Sequence, residues 1–293
     1  MSYNLQKRVI LITGASSGIG AAIALERLDR LNDLKSRILE TYPSCEIHIS
    51  VVDIRNKQEI DDAIANLPPG FKDIDVLVNN ILNDCAISSD SAEVVHDYVM
   101  WLISQKLKIS LAGTALGFDP LEENSQKDIQ ATIETNVYGL IYMTQAVLPK
   151  MKERNSGDII NMGSISGKRS HGFGNAVYSS SKFAIEGITE SLRKELLSTK
   201  IRVVLVRPGA VKSEFTLIRS YGNSKFSDAY YSGYEPLIPQ DVAECVVFVA
   251  ARPTNVVVSE IEILPNAQAD VQSLRIENPD YMKTLAETYK KNE

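Results

Sequence analysis

The chain has 293 residues, of which 44% are hydrophobic and 23% are charged, and this composition excludes collagen-like, disordered and disulfide-scaffold proteins. The formal net charge is −6 and the pI is about 5.3. An acidic chain argues against a nucleic-acid partner, because proteins that bind nucleic acids usually carry a basic surface. Small molecules and other proteins are the partners that this charge allows.

The cysteines and the apolar runs bear on the cellular compartment. Cys45, Cys85 and Cys245 lie far apart and form no CxxC pair, as is typical of proteins in a reducing compartment. The first apolar run leads into a glycine turn rather than a cleavage site. Charged residues interrupt the apolar stretch 94–111, so it is too short for a membrane span. We therefore expect a cytoplasmic protein with no membrane partner.

Short β-branched runs alternate along the chain with segments of helical period, which is typical of βαβ units around a parallel sheet. The predicted strands are 8–13, 46–52, 75–79, 158–163, 202–207 and 260–264. The predicted helices are 18–40, 57–66, 125–148, 176–198 and 239–251. We expect an α/β fold with a doubly wound parallel sheet over residues 1–268, followed by a polar surface tail, 269–293, with a short helix near 281–291.

The first strand ends in the sequence TGASSGIG, residues 13–20, and then opens into a helical pattern. Backbone N–H groups of such a turn can approach a pyrophosphate, whose charge the helix N-terminus stabilises. The candidate cofactor-binding residues here are Gly14, Ser16, Ser17, Gly18, Ile19 and Gly20. Because Gly and Ser also simply start helices, this turn alone is a weak sign of a dinucleotide site.

Tyr178 and Lys182 lie four residues apart in the sequence YSSSK. In a helix this spacing places both side chains on one face, where the ammonium can lower the pKa of the phenol and let Tyr178 exchange a proton with a substrate oxygen. Two other Tyr–Lys pairs have the same spacing and are expected to be surface pairs, since only Tyr178 follows a strand that ends in a serine, Ser164. On its own Ser164 could equally be a turn cap.

With these three elements in this order, residues 7–268 resemble the short-chain dehydrogenase/reductase family. The motifs that carry the resemblance are TGASSGIG, Asn79-Asn80, Asn136 in TNVYGL, Ser164, YSSSK and Pro208-Gly209. The resemblance implies a Rossmann-like fold, an NAD(P)-dependent oxidoreductase and assembly into a homodimer or homotetramer. No metal site is expected.

The resemblance also implies a role for each matching residue. Tyr178 would be the general acid/base, Lys182 would hold the nicotinamide ribose and tune Tyr178, Ser164 would orient the carbonyl, and Asn136 would anchor a proton-relay water. The implied cofactor contacts, besides the glycine turn, Tyr178 and Lys182, are Asp53, Asn80, Ala112, Gly113, Pro208, Gly209, Val211 and Ser213. Asp53 could instead be an ordinary turn residue, and Asn136 a helix-interior Asn bonded to backbone.

Phrases such as TQAVLP and RPGAVKSEF resemble the branch of NADP-dependent 3-hydroxy acid and serine dehydrogenases. This implies hydride transfer between NADP and the hydroxyl carbon of a short 3-hydroxy acid or a serine-like amino acid. The segment 212–240 occupies the place of the substrate loop. Arg219 or Lys212 in this segment could meet a carboxylate, or both could be solvated charges of a lid.

The chain departs from the family pattern where a second strand should follow the glycine turn by about 20 residues. Residues 21–40 read as helix throughout, so this strand is missing. Arg27 could be a remnant of the arginine that binds the 2′-phosphate, or a surface charge on a long helix. NAD is therefore not excluded as the cofactor. Residues 46–52 could pair directly with the first strand or leave a gap beside it.

The second departure is a segment of 31 residues, 81–111, which separates Asn79-Asn80 from Ala112-Gly113. It contains the only Trp of the chain, Trp101. We hypothesise that it is an unspliced intron or a gene-model error, which transcript reads across residues 80–112 would test. The rival is a genuine lid or partner-binding helix, because apolar residues in 94–107 fall at near-helical spacing. The alternative function is a catalytically silent dinucleotide-binding or interaction protein.

Overall fold

The computed structural model describes residues 8–14, 39–40, 46–79, 98–103, 115–170, 172 and 174–289. These residues form a seven-stranded sheet with helices on both faces, which confirms the predicted α/β fold. The strands are β1 (Ile10–Thr13), β2 (Glu46–Val51), β3 (Val76–Asn79), β4 (Tyr98–Ile103), β5 (Gly157–Met162), β6 (Ile201–Pro208) and β7 (Glu260–Ile263). Their order across the sheet is β2-β4-β1-β3-β5-β6-β7.

The central strands are mostly apolar because helices cover both faces of the sheet. The helices are α1 (Lys57–Ala65), α2 (Gln126–Ile133), α3 (Leu140–Glu153), α4 (Ala176–Glu195), α5 (Phe215–Arg219), α6 (Ser224–Tyr230), α7 (Pro239–Ala250) and α8 (Tyr281–Thr288). One core cluster packs Leu11 and Leu77 against α1, α3 and α4. The other packs Ile10 and Val76 against α7. This burial confirms the doubly wound arrangement.

Strand β4 comes from the segment 81–111, for which no strand was predicted. It runs antiparallel to β1, with Ile12 opposite Met100, and antiparallel to β2, with Ile49 opposite Met100. It therefore occupies the place of the missing second strand. Two expectations for this edge of the sheet were wrong, because 46–52 neither pairs directly with the first strand nor leaves a gap beside it. The helical alternative was also wrong over Tyr98–Ile103. The intron hypothesis concerns the gene and stays a prediction.

The segment after the sheet packs against the substrate-loop region rather than extending away from it. The predicted C-terminal helix is present as α8, and Tyr281 at its start is buried. The Tyr281 hydroxyl donates to the Tyr230 carbonyl, and the Asn223 amide donates to the Thr288 carbonyl at 2.9 Å. The helix α8 of the expected surface tail is therefore packed against the rest of the protein. Within the described ranges, no helix is long and apolar enough to cross a membrane.

Candidate active site

A cleft lies at the carboxyl ends of β5 and β6, where open α/β sheets usually bind their ligands. Its empty volume, including the open solvent at its mouth, is about 570 Å³. Six of the residues that line it are Phe118, Ser164, Tyr178, Arg219, Tyr230 and Gln268. Two of the predicted catalytic residues, Ser164 and Tyr178, therefore line the same cleft as four residues from distant segments.

The structure brings Ser164, Tyr178 and Lys182 together. Ser164 follows β5 and caps a short helical turn, since its hydroxyl accepts from the backbone N–H of Ser166 at 3.1 Å. Tyr178 and Lys182 lie one turn apart in α4, and the Lys182 ammonium is 5.7 Å from the centre of the Tyr178 ring. Lys182 Nζ donates to the Met162 carbonyl at 3.1 Å. The turn-cap interpretation of Ser164 is thus confirmed, and the same residue also lines the cleft.

The electrostatic surroundings shift the pKa values of both α4 residues. Burial raises the pKa of the Tyr178 phenol, whereas a hydrogen bond from Ser164 and the positive charge of Arg219 lower it. Burial lowers the pKa of Lys182 to about 7, against an opposing effect of the Glu186 carboxylate. The Lys182 amine therefore loses its proton nearer to neutrality than an isolated ammonium would. The net pKa of Tyr178 is raised, not lowered as the sequence predicted, because burial outweighs the two opposing effects.

Asn136 lies in a π-helical turn, Glu134–Gly139, between α2 and α3. Its buried amide donates to Ser181 Oγ at 2.8 Å, and Ser181 Oγ donates to the Tyr178 carbonyl at 2.7 Å. The side chain thus connects this turn to the helix that carries Tyr178 and Lys182. Its role in holding a relay water stays a prediction.

The ends of β1 and β6 carry described residues that fit a nicotinamide dinucleotide. Gly14 follows β1 with φ of 61°, a left-handed conformation that favours glycine. At Gly209 an added Cβ would lie 2.3 Å from Gln268 Oε1 and 2.9 Å from Leu264 Cδ2, so a larger residue would have to displace these side chains. Pro208 ends β6, and Val211 and Ser213 follow it along the chain. Gly14 thus provides a tight turn, and Gly209 provides a closely packed backbone at the cleft. The buried Lys182 ammonium provides a cation.

Asp53 follows β2, and its carboxylate is engaged by its own turn. Arg55 donates to it from the backbone N–H at 2.9 Å and from Nη2 at 2.7 Å. These contacts match the turn interpretation, and the contact of Asp53 with adenine stays a prediction.

Several predicted cofactor contacts lie outside the described residues and stay predictions. They are Ser16, Ser17, Gly18, Ile19, Gly20, Arg27, Asn80, Ala112 and Gly113.

The cleft also contains residues that the sequence did not single out. Phe118, Tyr230 and Gln268 come from three distant parts of the chain, so no local spacing connects them. Of these three, only Tyr230 lies in the segment 212–240, which the sequence placed at the substrate loop. Arg219 is buried in the cleft, so the interpretation of it as a solvated lid charge was wrong, whereas Lys212 is exposed.

Comparison with known proteins agrees with this geometry. The family model for short chain dehydrogenase matches residues 8–100 and 106–220. The NADP-dependent 3-hydroxy acid dehydrogenase of Schizosaccharomyces pombe is 34% identical over 278 residues, covering 90% of this chain and 95% of that protein. Sulfoacetaldehyde reductase 2 of Chromohalobacter salexigens is 32% identical over 275 residues, covering 89% and 95%.

A solved structure, the closed form of serine dehydrogenase complexed with NADP+, superposes with a TM-score of 0.73 at 30% identity. The superposition covers 91% of this chain and 98% of that one. The matched residues include the Ser164, Tyr178 and Lys182 positions, which the fold brings to one cleft. The chain belongs to the short-chain dehydrogenase family.

Proposed function

We propose that the protein is an NADP-dependent oxidoreductase that transfers hydride between NADP and the hydroxyl carbon of a short 3-hydroxy acid or a serine-like amino acid. The observation that carries this proposal is the arrangement of Ser164 and Tyr178 in one cleft, with the buried Lys182 ammonium beside the Tyr178 ring. The names of the relatives support the cofactor and the substrate class.

Each of the three side chains has a chemical task in the proposed mechanism. The substrate hydroxyl forms hydrogen bonds with Ser164 Oγ and Tyr178 Oη. During oxidation Tyr178 acts as the phenolate, and its Oη takes the hydroxyl proton to become the neutral phenol. In the reverse direction Tyr178 returns that proton. Lys182 holds the ribose of the cofactor and, when charged, favours the phenolate of Tyr178. Bound NADP supplies the hydride acceptor at its nicotinamide ring.

NADP is the proposed cofactor because the relatives are named for it. NAD is the alternative, since Arg27, the candidate for the 2′-phosphate, lies outside the described residues. The catalytically silent alternative is not favoured, because Ser164 and Tyr178 line the cleft with Lys182 beside them, and β4 fills the place of the missing strand.

Replacing Tyr178 with Phe tests the proposal. The variant keeps the ring and removes the hydroxyl that moves the proton, so we expect kcat for serine or 3-hydroxypropanoate oxidation to fall about 100- to 10,000-fold. The Kd for NADPH, measured by fluorescence titration, should change less than about threefold. Absence of NADPH binding by the wild type would overturn the function, and equal rates in both proteins would overturn the role of Tyr178.

We also propose a homodimer or homotetramer in the cytoplasm. Large apolar side chains are exposed on the helical layers, namely Tyr138, Phe183 and Phe248, and such side chains are common at subunit interfaces. Sedimentation equilibrium should give a mass of two or four times 32.4 kDa, and a monomer at micromolar concentration would contradict this.

A further inference from the structure

We infer that Arg219 is the receptor for the acid group of the substrate, a carboxylate or a sulfonate, whose hydroxyl lies at Tyr178. This inference rests on the proposed function and names the group by which the cleft selects its substrates. It begins from the position of the side chain. Arg219 ends α5, is 6% exposed and lines the cleft, and its guanidinium carbon is 5.7 Å from the centre of the Tyr178 ring.

The groups that hold Arg219 in place are all neutral. Nε donates to the Gly117 carbonyl at 3.0 Å, and Nη2 donates to the Gly174 carbonyl at 2.7 Å and to Asn175 Oδ1 at 3.1 Å. The guanidinium also lies over the Phe118 ring, 4.1 Å from its centre. These contacts fix the plane of the guanidinium, and none of them neutralises its charge.

A buried cation is normally paired with an anion, because desolvation of an unpaired charge is costly. In the part of the chain that the structure describes, no Asp or Glu forms an ion pair with Arg219. Burial accordingly lowers the pKa of Arg219, and the groups that oppose this shift are tyrosines. A bound substrate anion would supply the missing negative charge.

The guanidinium also has hydrogen-bond donors to offer. Nε and Nη2 are engaged, whereas Nη1 has no acceptor among the described residues. A guanidinium binds a planar or tetrahedral oxyanion through such donors. In a 3-hydroxy acid only two carbon–carbon bonds separate the hydroxyl carbon from the carboxylate carbon, so one small cleft can hold both groups.

Two other interpretations make different predictions. Lys212, the other cation considered for this role, is exposed and does not line the cleft. Alternatively, Arg219 could only connect the segments that contain Gly117 and Gly174. A purely structural arginine would affect every substrate to the same degree. An anion receptor affects charged substrates far more, with a small loss for all substrates because the charge of Arg219 also lowers the pKa of Tyr178.

The test compares wild type, Arg219→Met, Arg219→Lys and Lys212→Met, with the exposed Arg169→Met as the control for loss of one cation. The substrates are 3-hydroxypropanoate, 2-hydroxyethanesulfonate and the uncharged 1,3-propanediol. For Arg219→Met we expect kcat/KM to fall at least about 100-fold for the preferred acid, mainly through KM, and less than about fivefold for the diol. Arg219→Lys should recover part of the loss, and Arg169→Met should match the wild type.

Equal losses on all three substrates would overturn the inference, as would a loss confined to Lys212→Met. The acid whose kcat/KM falls by the larger factor in Arg219→Met shows whether the receptor prefers a carboxylate or a sulfonate. If the wild type turns over the diol as well as both acids, the inference fails while the oxidoreductase function stands.

If the wild type reduces no NADP with any of these alcohols, the proposed function fails, and calorimetry then decides the inference. Binding of 3-hydroxypropanoate or 2-hydroxyethanesulfonate to the NADPH-saturated protein that is lost in Arg219→Met supports the receptor. The inference is overturned if the wild type binds neither acid, or if the wild type and Arg219→Met bind the acids equally well.

Discussion

Lys182 lies in α4 with its ammonium group removed from water and donating to the Met162 carbonyl. Its pKa is lowered to about 7 from 10.5, mainly by burial. In the unfolded chain the same amine keeps its ordinary affinity for protons. Between these two values the unfolded state binds more protons, so the free energy of unfolding must rise with pH in this window.

We therefore expect the stability difference between wild type and Lys182→Met to grow with pH. The contribution of Lys182 is present in full above pH 10.5 and is lost as the pH falls through about 7. From pH 7 to pH 9 the free energy of unfolding of the wild type, relative to the variant, should increase by about 2 kcal/mol. Urea denaturation at the two pH values measures this difference.

The matched control is Lys200→Met, which removes an exposed ammonium. The free energy of unfolding of Lys200→Met should keep a constant offset from the wild type between the two pH values, to within about 0.5 kcal/mol. A Lys182→Met variant that behaves in the same way would show that the Lys182 amine is not buried in the folded protein.

The site residues divide into those that a local pattern predicts and those that it does not. Tyr178 and Lys182 are four residues apart, and Ser164 ends a predicted strand, so a sequence can place them on one helix face and one strand end. Arg219 was only one of the two cations named as candidates in a loop. Its burial depends on contacts with Gly117, Gly174 and Asn175, which a linear sequence does not bring together.

At the scale of elements, the strands of the parallel core could be predicted because each is a continuous apolar run between helical segments. Strand β4 could not be predicted, because an apolar run of this length fits a helix as well as a strand. Its partners, β1 and β2, lie more than 40 residues away in the sequence. The pairing on both of its sides decides its structure.

A proline at Met100 tests whether β4 is a central strand. Met100 lies opposite Ile12 on one side and Ile49 on the other, and proline removes its backbone N–H from the ladder. We expect Met100→Pro to lose about 3 kcal/mol or more of stability and its Tm to fall by roughly 5–10 °C.

The comparison variant is Met100→Val, which keeps the N–H and favours strands. Its Tm, followed by circular dichroism, should stay within about 3 °C of the wild type. If proline and valine have the same small effect, residues 98–103 do not pair within the sheet.

At the scale of the whole molecule, the cleft is assembled from segments that are far apart in the chain. Phe118 follows the inserted segment, Tyr178 lies in α4, Tyr230 ends α6, and Gln268 follows β7. Tyr289, which follows α8, contacts Phe118 edge to face, with ring centres 5.6 Å apart. The alternation of strands and helices predicted the sheet, but only the folded chain shows which loops form the walls of its cleft.

The central claim is that this cleft removes hydride from the hydroxyl carbon of its substrate while Tyr178 takes the proton. The most direct measurement uses 3-hydroxypropanoate in which deuterium replaces both hydrogens of the hydroxyl carbon. Mass spectrometry then gives the mass of the NADPH that forms. We predict one deuterium in each NADPH, formed at least about 100-fold more slowly by Tyr178→Phe. NADPH without deuterium, or labelled NADPH formed at the same rate by both proteins, would contradict the claim.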